Sequence, residues 1–133
     1  MKDLSITERR NKDVLILDLA GRVLIGETTS KLRSTLRSHL DQKERNLILN
    51  LAEVTHIDSS GLGDIVAGHV SFEKAGGALK LLNLTDKVND LMMITKLLTV
   101  FETFSVEDDA VKSFEAKTAD SNLGSVSTAS GAE

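Results

Sequence analysis

The densest group of chemistry-bearing side chains in this sequence is His56-Ile57-Asp58-Ser59-Ser60-Gly61-Leu62-Gly63. An acid, two hydroxyls and two glycines in that order suit several chemistries. A hydrolase elbow would read G-x-S-x-G, but Ile57 stands two before Ser59 and Asp58 two before Ser60. The three histidines offer no placed base: His56 precedes the acid, His39 ends one amphipathic segment and His69 falls near the apolar stripe of another. A phosphate cradle would end in G-K-[ST], whereas Asp64 puts a negative charge where the lysine belongs. Asp58, Asp64 and His56 lack further ligands at a familiar metal spacing, so no metal is expected.

Two readings stay open on the residues alone. Asp58, Ser59 and Ser60 are each good helix N-caps, and one suffices. The two glycines cost helix propensity, about 1 kcal/mol each, so close approach is expected at this point. A serine at an exposed helix start can also accept a phosphoryl group, which the free N–H groups tolerate while the surface gains about -1.5 to -2 charges.

Those residues need elements to hold them. Val14 to Ala20 is short, apolar and closed by Gly21, as a strand would be, and a weaker strand is expected around Leu4 to Glu8. Leu32, Leu36 and Leu40 recur every four residues and predict an amphipathic helix, with Thr28, Thr29 or Ser30 as its cap. Asn46 to Leu51 reads as a buried strand, followed by a loop from Ala52 to Ser59. From Ser60 a helical stripe of Leu62, Ile65, Val66 and Val70 runs to Gly76-Gly77. Ala78 to Leu82 is the next strand, and the order strand–helix–strand predicts a right-handed crossover between parallel strands. In such sheets functional groups collect beyond the carboxyl ends of the strands, where the Asp58 stretch would lie.

Thr85 is expected to open a further helix carrying Val88, Leu91, Met92 and Leu98 on one face. Val100 to Val106 reads as an edge strand, and Asp108 to Phe114 as a closing helix. After Lys117 the chain turns small and polar, so residues 118–133 are expected to form a disordered tail behind one domain of residues 1–117.

Composition narrows the classes of function. One α/β domain fits 133 residues, and without cysteine neither disulfides nor thiolate metal sites are available. The net charge of -4 and four phenylalanines as the only aromatics argue against direct nucleic-acid binding. No segment has the length and apolarity of a membrane span, and the N-terminus has no apolar signal core, so a cytoplasmic location is expected.

The span from Asn46 to Phe104 resembles the STAS domains of bacterial anti-sigma-factor antagonists, and the similarity extends over roughly residues 4 to 117. It is carried by D-S-S-G-L-G at 58–63, the helix ending in Gly76-Gly77, L-K-L-L-N-L-T-D-K-V, the turn at Ile94-Thr95 and a late strand at Phe101–Phe104. The resemblance implies a single STAS-like α/β domain: a small mixed sheet of four to five strands packed with amphipathic helices. It also implies a binding module rather than an enzyme, one that frees a sigma factor by engaging an anti-sigma factor that is a serine kinase. Ser59 would be the phosphoacceptor and Asp58 its acidic neighbour, with Ser60, Gly61, Leu62 and Gly63 meeting the partner. A serine phosphatase would reset the cycle. The kinase supplies the nucleotide chemistry, so this chain needs no cofactor and no small-molecule substrate, and no membrane contact is expected.

The sequence departs from the pattern it resembles at two motifs, and its polar tail after Lys117 extends beyond the typical domain end. The usual acid, leucine and aspartate after the second strand's glycine are replaced by Arg22-Val23-Leu24-Ile25-Gly26-Glu27, and Lys96 stands where a glycine is usual. STAS domains also occur as scaffold modules in sensory assemblies and beside transport systems, without a phosphorylation cycle, and this is the alternative reading.

Overall fold

A computed structural model describes the backbone of residues 4–124 and the side chains of residues 4–26 and 30–115. The elements are β1 (Leu4–Asn11), β2 (Val14–Val23), α1 (Glu27–Asp41), β3 (Asn46–Ile57), α2 (Ser59–Lys74), β4 (Ala78–Leu82), α3 (Asp86–Ile94), β5 (Thr103–Phe104) and α4 (Glu107–Gly124). The strands form one mixed sheet in the order β1-β2-β3-β4-β5. β1 runs antiparallel to β2, and the remaining neighbours are parallel, including β3 and β4 across α2 as the sequence predicts.

Strand alternation sends side chains to two faces. Leu15, Leu17 and Leu19 of β2, Leu47, Leu49 and Leu51 of β3 and Leu79 and Leu81 of β4 form one core with Leu32 and Leu36 of α1, Leu62, Ile65 and Phe72 of α2 and Val88 and Met92 of α3. The alternate residues Val14, Ile16, Ile48, Ala78 and Leu82 meet Ala110, Val111 and Phe114 of α4 on the other face. Three helices therefore cover one side and α4 the other.

Several boundaries differ from the sequence expectation, each for a local reason. β2 does not stop at Gly21 but continues to Val23, and β3 does not give way to a loop at Ala52 but runs to Ile57. Register shifts between Asp18 and Ala20 and between Gly21 and Arg22 each oppose an extra β3 residue to β2. These bulges space the inward residues Leu51, Val54 and Ile57 by three, which erases the alternation that marks a strand.

Thr28, Thr29 and Ser30 do not cap α1. They lie within its first turn, and the N-cap position is Gly26, which has no side chain to bond. Val70 is exposed rather than part of the buried stripe of α2. α3 is capped as expected, Thr85 Oγ1 accepting from Val88 N at 3.3 Å, but it ends at Ile94, so Leu98 packs on the core from the turn beyond. Lys96 adopts φ 63° there, the left-handed conformation that a glycine takes without strain.

The expected edge strand over Val100–Val106 is reduced to Thr103–Phe104. The closing helix does not end at Phe114: α4 continues to Gly124, through the expected boundary at 117 and the first part of the expected tail. Residues 125–133 lie outside the described residues.

Candidate functional site

β2 and β3 are adjacent and parallel, so Val23 and Ile57 end side by side, and the next residues lead into α1 and α2. Asp58 lies at this edge in extended conformation as the N-cap of α2. Its Oδ1 accepts from Gly61 N at 2.9 Å and its Oδ2 from Ile25 N at 3.0 Å, while its own N–H donates to Val23 O at 3.3 Å. One carboxylate thus ties the β2–α1 connection to the first turn of α2. The Gly61 N–H, and then that of Ile25, hold the Asp58 carboxyl below the usual carboxylate range.

The sequence left three candidates for the cap, and the geometry assigns it to Asp58. Ser59 becomes the first residue of α2 and is exposed, while Ser60 is half-buried. The two glycines differ. A Cβ on Gly61 would stand 2.7 Å from Val23 Cγ1 and closer still to the Val23 carbonyl oxygen, whereas one on Gly63 would meet nothing within 4 Å. The close approach expected from the glycines is therefore, at Gly61, an approach of α2 to β2 of the same chain. Leu62 is 2% exposed and belongs to the core, so its side chain is not presented to a partner as the resemblance implied. It anchors the turn on which Ser59 stands.

The histidines are engaged elsewhere. His39 is buried with Nε2 3.0 Å from Glu8 Oε2, and His69 packs its ring 4.9 Å from that of Phe101, 3.7 Å from Glu73 Oε1. His56 is exposed, with Nδ1 3.0 Å from Thr55 Oγ1. Asp64 pairs with Arg33 of α1, whose Nε lies 3.3 Å from Oδ1. Among the described residues no three or more histidine, cysteine or acidic side chains are grouped to hold a metal. No described helix is long and apolar enough to cross a membrane.

Sequence reasoning missed Ile25. The run Arg22–Glu27 stands out as a departure from the family pattern, but nothing in it singles out Ile25, whose side chain is 74% exposed and whose N–H bonds Asp58.

The sequence and the fold have counterparts among known proteins. The anti-sigma-B factor antagonist of Bacillus subtilis is 26% identical over 110 residues, covering 83% of this chain and 99% of that protein. The antagonist of the same name from Listeria monocytogenes is 28% identical over 102 residues, covering 77% and 89% respectively. The solved structure of the anti-sigma factor antagonist SpoIIAA in its unphosphorylated form superposes with a TM-score of 0.72 at 18% identity, covering 84% of this chain and 97% of that one. The STAS domain family matches residues 5–110, which takes in all of the sheet but Leu4, the first three helices and the whole Asp58–Gly63 junction, and the chain is therefore a member of the STAS domain family.

Proposed function

We propose that this chain is an anti-sigma-factor antagonist that acts in the cytoplasm, binding an anti-sigma factor serine kinase and switched off by phosphorylation at Ser59. A serine phosphatase restores the binding form. The observation that carries this reading is the exposed Ser59 at the first position of α2, directly after a carboxylate whose two oxygens are both engaged in holding the junction. The names of the sequence relatives support the partner class.

The physical basis of the switch is local. A phosphoryl group on Ser59 extends into solvent at a helix N-terminus, so the fold tolerates it. A partner seated over the junction must instead desolvate about two negative charges beside Asp58, which costs several kcal/mol and lowers binding by orders of magnitude. Asp58 and Gly61 position the acceptor, Leu62 anchors the turn, and Ser59, Ser60 and Gly63 face the partner.

The test is a pull-down from native cell extract with wild type, Ser59→Ala and Ser59→Asp as baits. Capture of an anti-sigma-type serine kinase by the first two and its loss with Ser59→Asp, at an unchanged thermal unfolding midpoint, is the expected result. Equal capture by all three baits with no kinase among the partners would overturn the switch and leave a charge-indifferent scaffold module.

A further inference from the structure

We propose that Ile25 is the apolar anchor of the partner face on which the kinase docks, an inference that rests on the functional reading above. A kinase that phosphorylates Ser59 must close over its hydroxyl. The Ile25 backbone is tied to the carboxylate of the preceding residue, Asp58, at 3.0 Å, so any surface covering Ser59 also covers the tip of the β2–α1 connection. At that tip Ile25 is 74% exposed, far beyond what a strand-end isoleucine needs for folding.

The character of the surrounding surface defines the occupant. Ser59, Gly63, Ala67 and Val70 are all exposed on α2 and follow one another at helical spacing, a row of about 16 Å without a charge. Of the acids flanking the row, Asp58 is held by two backbone N–H groups and Asp64 pairs through Oδ1 with Arg33, while Glu73 stands exposed at the far end beside Val70. Gly63 leaves the row flat, since nothing lies within 4 Å of where its Cβ would stand. Among the described residues, a partner therefore meets an uncharged row that ends in the exposed Val70, with the aliphatic side chain of Ile25 beside the phosphoacceptor. The complementary surface on the kinase is an apolar pocket next to its active site, not a charged one. Recognition by such a pocket is read from shape and burial and is insensitive to salt.

The probe is the kinase purified from the wild-type capture, titrated with wild type, Ile25→Asp, Ile25→Leu and Ser59→Asp, together with the initial rate of Ser59 phosphorylation. Ile25→Asp is expected to raise Kd about tenfold or more and to raise KM for phosphorylation with little change in kcat. Ile25→Leu stays within about twofold, and its Kd and that of wild type are the same at about 0.1 and about 0.5 M salt. The unfolding midpoint of Ile25→Asp stays at the wild-type value, which separates a docking role from a structural one. Wild-type affinity of Ile25→Asp alongside lost binding of Ser59→Asp would overturn the anchor and leave the switch standing. Weak binding of Ile25→Asp with wild-type affinity of Ser59→Asp would keep the anchor and overturn the switch, and absence of any kinase from the wild-type capture would overturn both.

Discussion

Two carboxylate-centred regions of the molecule use hydrogen bonds to opposite ends. On the α4 face, Arg9 of β1 makes two bonds to Asp18 of β2, at 2.6 and 3.1 Å, and two to Glu107 of α4, at 2.9 and 2.8 Å. Asn11 adds a bond to Glu107, Asn50 donates to Asp18, and Asn83 donates to Asn50. That network is closed upon itself and joins three adjacent strands to the start of α4. At the other region Asp58 also saturates its oxygens, but with backbone N–H groups, and the hydroxyl next to it is left facing solvent. The first region consumes its polar groups to hold an element in place. The second consumes one residue's polar groups so that its neighbour stays available.

The sharpest break of this comparison is at Gly61, where the functional region borrows rigidity from the sheet. Gly61→Val drives a side chain into the Val23 backbone, which cannot move without disturbing β2. A loss of about 3 kcal/mol or more is expected, measured by denaturant unfolding, together with loss of partner capture.

Next is Arg9→Met, which should affect stability alone. Its side chain is 38% exposed, so solvent screening limits the loss to about 1–2 kcal/mol. This variant also probes pH. Arg9 and Asn11 hold the Glu107 carboxyl below its ordinary value. At Asp18 burial pushes upward, but the bonds from Arg9 and Asn50 outweigh it. Depressed carboxyls contribute stability that is fully present above the unfolded-state range, roughly pH 4, and is lost as pH falls through the lower folded values. Wild type should therefore lose stability on acidification below about pH 4 more steeply than Arg9→Met, and equal slopes would show the network to be energetically idle.

The smallest stability effect is expected for Asp58→Ala, about 1 kcal/mol for the lost cap. Its functional effect should exceed that, because Ile25 and the start of α2 are released together. The rate of Ser59 phosphorylation against the unfolding midpoint measures the two parts separately.

How much was legible from residues alone differs between the same regions. The element order, the parallel β3–α2–β4 unit and the Asp58–Gly63 junction at a strand's carboxyl end follow from local periodicity and turn chemistry. The Arg9 network does not, because Arg9 and Glu107 are 98 residues apart and meet only when α4 docks. The full length of β3 was hidden because its last residues follow the register of β2 rather than a period of two.

By itself the sequence determined which residues are apolar at helical or strand spacing, and hence the sheet, its helices and the place of the serines. Only the tertiary structure decided that Asp58 rather than Ser59 or Ser60 is the cap, that Gly61 faces Val23 while Gly63 faces solvent, and that Ile25 points outward. The physical reason is common to all three. Each depends on how closely the start of α2 lies against the end of β2, a distance fixed by sheet pairing and core packing rather than by any neighbour in the chain.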